Sequence, residues 1–509
     1  MKKYLFIITI LFAMGASAQD NNLILTTTVA QGEIAGEARN GYAFYPAIPY
    51  AEAPVGDLRW KAPVAKKPWT GVYDSSKYGC RPPQPNDPNQ PNMLPMGEDC
   101  LYLSVQTPAK SVSDRLPVFV MIHGGAFLTG SYVGTQENFV REGIVYVSIE
   151  YRLGAFGFMS HPELSKESAQ KVSGNYGLMD QIMALQWVHD NIAAFGGDPG
   201  NVTIAGEAAG GISVSILCSS PLCKGLFQHA VSESGSSFWP VADARKGNTA
   251  LLTSQTAEKD GVEFQKRLKT KNIKQMRKLP FQTIVDSTRM EAFWPVVDGY
   301  VITDDQYKLY EKGEYNDVDV LIGTNSNEGW MFSFPYPVEA FKANVRNNYG
   351  EWADRLLEIY PASTPDEVRS ASADIFRDGS FAWGTYAWAN LQSKTGKKNV
   401  FMYYFDQNSE NMFMKVPHGA CHVAEMAFIY DWHLGPFTKV EEHMAQIMTR
   451  YWINFCKTGN PNADGLPYWP TYIQGKPTVM TFHEGFQVTP VPNQKQMDFF
   501  EEFFKSKRK

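Results

Sequence analysis

The sequence predicts an α/β fold, a central and mostly parallel sheet flanked by helices and carrying large insertions. Three observations predict it. Residues 117–122 and 144–149 are apolar runs, the second interrupted only by Ser148, the pattern of strands buried on both faces. Residues 178–194 set Ile182, Leu185, Val188 and Ile192 at helical spacing, and Gly196-Gly197-Asp198-Pro199-Gly200 stops that helix. Val202-Thr203-Ile204-Ala205 then reads as a short buried strand and 208–217 as a helix of small and apolar residues, so strands and helices alternate in doubly wound order.

Composition sets the outer limits. A chain of 509 residues with 44% apolar and 20% charged residues has material for a large core. Residues 1–18 read as a signal peptide: Lys2-Lys3, an apolar run over 5–14, then Ala16-Ser17-Ala18 before Gln19. That run is too short to span a bilayer, and no later stretch is long and apolar enough to do so. The expectation is an exported chain, periplasmic or secreted, in which residues 19–509 form a single domain with insertions. Net charge is −6 with no basic stripe, which speaks against nucleic-acid binding. Six cysteines are too few for a disulfide scaffold, so the core must hold the fold.

Taken in order, residues 23–72 are β-type runs broken by Gly and Pro. Residues 81–99 form a Pro- and Asn-rich surface loop between Cys80 and Cys100, which are either bridged or two separate thiols. The two apolar strands follow, the first ending in His123-Gly124-Gly125-Ala126-Phe127 and the second in Tyr151-Arg152-Leu153-Gly154. Beyond the helix at 208–217, residues 251–274, 365–396 and 441–457 are amphipathic and read as helices. Residues 318–322, 399–405 and 478–482 read as strands, and 500–509 as a polar-ended tail that frays.

Chemistry concentrates at a few of these junctions. Gly206-Glu207-Ala208-Ala209-Gly210 joins a strand to a helix in the pattern Gly-x-Ser-x-Gly, with alanine where serine belongs. In such a turn the central residue is strained and projects at the sheet edge, the glycines allow close strand–helix approach, and the N–H of Ala209 opens a helix. The machinery for acyl transfer is therefore laid out without its nucleophile. His123-Gly124-Gly125-Ala126-Phe127 offers backbone N–H groups for an oxyanion. Glu328 follows a strand end, on the sheet edge where ligands bind in open α/β folds. His418 and His422 are the candidate bases, and the order nucleophile, acid, histidine is that of this fold.

These runs resemble the type-B carboxylesterase and cholinesterase family of α/β-hydrolases along essentially the whole chain after residue 18. The matching runs include Ile48-Pro49-Tyr50-Ala51, Glu98-Asp99-Cys100-Leu101-Tyr102-Leu103, the His123 and Tyr151 motifs, Gly174-Asn175-Tyr176-Gly177-Leu178, the elbow, Pro295-Val296-Val297-Asp298-Gly299 and the Glu328 loop. In the family an acid three residues on and an aromatic-aliphatic-aromatic run follow the histidine. His422, Glu425 and Phe428-Ile429-Tyr430 fit, so the role falls on His422. The resemblance implies that Ala208 holds the nucleophile position, Glu328 orients His422, and Gly125, Ala126 and Ala209 supply the oxyanion donors. It also implies that Glu207 is a buried carboxylate beside the histidine and that Cys80 and Cys100 form a disulfide. Three departures stand out: Ala208 itself, Glu150 where the family commonly has Asn, and the absence of Trp between Cys80 and Cys100, which removes a cation–π site for choline esters.

The function so implied is an exported carboxylic-ester hydrolase working through a Ser-Glu-His acyl-enzyme on a small-molecule ester, without metal or cofactor, here in an inactive Ala208 form. The alternative is a pseudoenzyme that binds a ligand or protein. Neither Ser213, Ser215 nor Cys421 is placed to replace the serine. Phe127, Phe293, Trp294 and Trp330 are expected to wall an aromatic pocket.

Overall fold

The computed structural model describes residues 22–85, 94–131, 134–243, 250–288, 293–412 and 414–508. Residues 1–18, read above as a leader, lie outside them. Among the described residues one eleven-stranded sheet organises the molecule. Its strands are β1 (Glu37–Arg39), β2 (Tyr42–Pro49), β3 (Tyr102–Thr107), β4 (Leu116–Ile122), β5 (Val145–Ile149), β6 (Gly197–Glu207), β7 (His229–Glu233), β8 (Asp319–Asn325), β9 (Val400–Phe405), β10 (Thr478–Phe482) and β11 (Phe486–Pro490). They lie in the order β11-β10-β9-β8-β7-β6-β4-β5-β3-β2-β1. The seven from β10 to β5 run parallel, and the strands at both edges are antiparallel.

The reason the apolar runs are continuous is visible in β4. Val118, Val120 and Ile122 enter the core on one face of the sheet, while Phe119 and Met121 enter the core on the other. A strand sandwiched between two helical layers needs apolar residues at every position, because successive side chains point to opposite faces. The helices that matter for the site are α1 (Tyr176–Asn191), α2 (Ala209–Ser219), α3 (Ser254–Arg267), α4 (Pro365–Arg377), α5 (Trp383–Thr395), α6 (Ala424–Tyr430), α7 (Lys439–Thr458) and α8 (Gln494–Lys507). Helices α4 and α7 each open on a reciprocal cap, Thr364 with Glu367 and Thr438 with Glu441, which satisfies N–H groups that a helix start leaves without partners.

Three expectations need correcting. The tail does not fray: α8 buries Phe499 and Phe503 against Tyr349 and Trp352, and Phe500 against the Gly379 turn. Each such side chain contributes roughly 1.5–3 kcal/mol, and the polar ending hid an amphipathic face. The amphipathic stretch at 365–396 is two helices, α4 and α5, joined by a wider π-turn at Asp378–Ala382. The Cys80–Cys100 disulfide is not formed, and all six cysteines are free thiols. Cys100 is fully buried, and burial followed by the charges of Glu150 and Asp180 pushes its thiol pKa up against the opposing Arg152, whereas Cys80 is half-buried near Asp99 and Gly97.

Candidate active site

The carboxyl ends of β4, β6, β7, β8 and β9 meet at one edge of the sheet, and every titratable group of the candidate site comes from the segment that leaves one of these strands. At the end of β6, Ala208 takes φ 52° and ψ −118°, a conformation that costs a residue with a Cβ on the order of 1–3 kcal/mol. The surroundings over-determine it. Its N–H donates to the Glu233 carbonyl at 2.9 Å, and its own carbonyl accepts from Ile212 N–H at 2.8 Å. A Cβ at Gly206 would lie 2.4 Å from the Gly210 carbonyl carbon, and one at Gly210 would lie 2.1 Å from the Ile122 oxygen, so both elbow glycines are required by close packing. Ala209 is the first residue of α2, and its N–H therefore has no partner within the helix.

The turn after β4 lies against this elbow: a Cβ added to Gly124 would be 3.4 Å from that of Ala208. Gly125, Ala126 and Phe127 all have positive φ, at 98°, 56° and 56°. Gly125 closes the turn by accepting from Leu128 and Thr129 N–H at 3.0 and 2.9 Å. The fold-back holds this turn beside the elbow at Ala208.

Glu328 leaves the end of β8 and is fully buried. One carboxylate oxygen accepts from Asn325 N–H at 2.7 Å and from the Ser234 hydroxyl at 2.5 Å, and the other lies 2.6 Å from His422 Nδ1. A carboxylate so loaded stays an acceptor, which places the proton of His422 on Nδ1. The loop carrying His422 is tied to the β8 loop by the bridge between Asn327 and Cys421, and the left-handed Val423 turns it into α6. The other ring nitrogen, Nε2, faces the elbow, 3.2 Å from a Glu207 oxygen. Burial alone would lower the pKa of His422, but Glu207 and then Glu328 outweigh it and raise it to about 9. Burial raises Glu207, with His422 opposing and Glu425 and Glu328 adding to the shift. Rings of Phe381 and Phe332 stand 4.8 and 5.9 Å from the imidazole and shield it from one side.

The structure brings together Ala208, Glu207, Glu328, His422 and the Gly125–Ala126 turn. It keeps others apart: His418 meets this group only through its carbonyl, which accepts from Asn327, and the buried Cys421 thiol faces the Met414 carbonyl. Ser213 and Ser215 are bonded to Gln181 and Gln306 beneath α2. Sequence reasoning missed Ser234 and Asn325. Ser234 follows β7, whose Glu233 pairs in register with Glu207, a neighbourhood that no local signal in the sequence marks. Glu425, quoted only as spacing, is buried beneath the triad, bonded to Tyr403 and Asn325 and raised to about 7 by burial and then Glu328.

The aromatic pocket needs revision. A cavity of about 350 Å³ does open beside Glu207 and Gly124, but Met121, Met412, Met426, Trp432 and Leu434 supply its apolar wall. Phe127 packs into the core on Phe158 and Trp294, Phe293 on Phe264, and Trp330 lies under the Arg369 guanidinium. No described helix is long and apolar enough to cross a membrane.

Comparison with known proteins returns one consistent group. The model of a family described as the carboxylesterase family matches residues 21–500. The chain is 32% identical over 469 residues to para-nitrobenzyl esterase of Bacillus subtilis (strain 168), covering 87% of this chain and 92% of that one. It is 30% identical to fumonisin B1 esterase of Sphingopyxis macrogoltabida, over 94% of this chain and 91% of the other. A solved PNB esterase superposes with a TM-score of 0.80 at 29% identity, over 93% of this chain and 99% of its own.

Proposed function

The chain belongs to the carboxylesterase family, and from that premise we propose that its site is built to hydrolyse small carboxylic esters through an acyl-enzyme, with Ala208 in the nucleophile position. One observation carries the reading: His422 Nδ1 is held by the buried Glu328 at 2.6 Å while Nε2 faces the elbow. A binding surface has no use for an imidazole oriented in this way. With a serine at 208, the hydroxyl would give its proton to Nε2 and attack the ester carbonyl. The N–H groups of Gly125, Ala126 and Ala209 would stabilise the oxyanion, and His422 would return the proton to the leaving alcohol. Water would then repeat the cycle on the acyl-enzyme, and no cofactor enters. As it stands the chain has no oxygen to acylate, so little or no turnover is expected from it. We further propose that residues 1–18 direct export to the periplasm or medium and that 19–509 act as one domain. The names of the two relatives, which are those of ester hydrolases, support the substrate class.

Ala208 itself favours a second reading, a pseudoenzyme that binds an ester-like ligand or a partner. A fluorophosphonate reagent separates the two. The Ala208→Ser protein should lose fluoride from the reagent and gain its mass on the peptide spanning position 208, while the Ala208 chain gains none. A folded revertant that stays unlabelled would leave the binding reading in possession.

A further inference from the structure

Glu150 is the departure that the triad does not absorb. It lies one residue past β5, is fully buried, and sits between the two shoulders of the turn at 123–131. One of its oxygens accepts from the Ser131 hydroxyl at 2.5 Å, and the other lies 3.5 Å from His123 Nε2. The imidazole of His123 has a second contact, with Nδ1 2.9 Å from the Gly124 carbonyl oxygen. That oxygen only accepts, so Nδ1 carries a proton and donates it. The ring is stacked 4.5 Å from Tyr151, whose hydroxyl donates to the His123 carbonyl at 2.8 Å. On its other side Gly130 leaves the space it needs, since a Cβ there would be 2.2 Å from Nδ1. The backbone of Glu150 is pinned in turn, its carbonyl accepting from the Tyr50 hydroxyl at 2.6 Å.

These contacts act on a single peptide plane. In a trans peptide the C=O of Gly124 and the N–H of Gly125 point in opposite directions. Holding the Gly124 oxygen toward His123 therefore aims the Gly125 N–H away from it, toward the elbow. We propose that Glu150 is a positioning residue for oxyanion stabilisation: through His123 and Ser131 it grips both ends of the turn and fixes the orientation of the Gly124–Gly125 peptide. Glutamate suits the task because its two oxygens reach both shoulders, one accepting from the Ser131 hydroxyl and the other lying against the His123 ring. The catalytic part of the inference rests on the esterase reading above, while the structural part does not.

Glu150→Leu keeps a side chain of similar size and removes both acceptor oxygens, and it allows the two parts to be tested separately. In the chain carrying Ala208, amide hydrogen exchange at Leu128 and Thr129, whose N–H groups report closure of the turn on Gly125, should quicken at least about tenfold while β4 and β5 keep their protection. Unchanged exchange in the turn would overturn the proposal. In the Ala208→Ser protein the same change should lower kcat about 10- to 100-fold with KM within about threefold, since oxyanion donors act mainly in the transition state. Unchanged kcat, or a loss entirely in KM, would reject the positioning role. Ser131→Ala, which removes one arm only, should move both readouts the same way by a smaller factor and serves if Glu150→Leu fails to fold. If Ala208→Ser alone is inert, the esterase reading fails, and the exchange experiment still decides whether Glu150 holds the turn.

Discussion

Restoring one oxygen is the decisive perturbation of this site. Ala208 already has the backbone angles of the turn and is held there by the Glu233 and Ile212 hydrogen bonds, so Ala208→Ser requires no rearrangement of the main chain. In another hydrolase, removing the serine of the triad costs about 10⁶ in turnover. The structure argues for a discount on the reverse step. His422, raised to about 9 by its two carboxylates, is neutral in only roughly 3% of molecules at pH 7.5, which reduces the gain about 30-fold if the serine leaves that pKa unchanged. A rate increase on the order of 10⁴ remains, and at least about 10³ is expected with a short-chain p-nitrophenyl ester, followed by release of p-nitrophenol. His422→Ala in the revertant should return the rate to that of the Ala208 chain, because the serine loses its base. A folded Ala208→Ser protein that stays inert on both short-chain and bulky esters would refute the argument that only one atom is missing.

Three further expectations follow from the structure. In the revertant, kcat/KM should be lost as pH falls through the pKa of His422, because protonation removes the base, and the inflection should lie above the ordinary histidine value of about 6.5. Glu207→Gln should move that inflection down, since Glu207 is the leading influence that raises His422 against burial; a profile unchanged by the substitution would show that the two groups do not interact. Phe500→Ala should destabilise the protein by about 3–5 kcal/mol in urea unfolding, as its ring is buried against the Gly379 turn; a loss below about 1 kcal/mol would mean that α8 is dispensable.

Much of this protein is legible in its sequence because the relevant signals are local. Apolar runs at 117–122 and 144–149 mark strands covered on both faces, the glycines around Ala208 mark a strand passing tightly into a helix, and the alanine at 208 is itself a matter of one letter. The aromatic residues misled, because size and hydrophobicity alone do not separate a core ring such as Phe127 from a cavity wall, and the cavity wall was assembled from distant methionines. Cys80 and Cys100 flank a loop of suitable length, yet the direction of each thiol depends on what packs around it. The protonation of the site belonged wholly to tertiary structure. Glu207, Glu328, Glu425 and His422 arrive from three different strand ends, and only their burial within a few ångströms of one another raises Glu207, Glu425 and His422 above their ordinary values. Ser234 and Glu150 gained their partners in the same way: Ser234 meets Glu328 and Glu150 meets Ser131 across separate segments that only the packed sheet brings together.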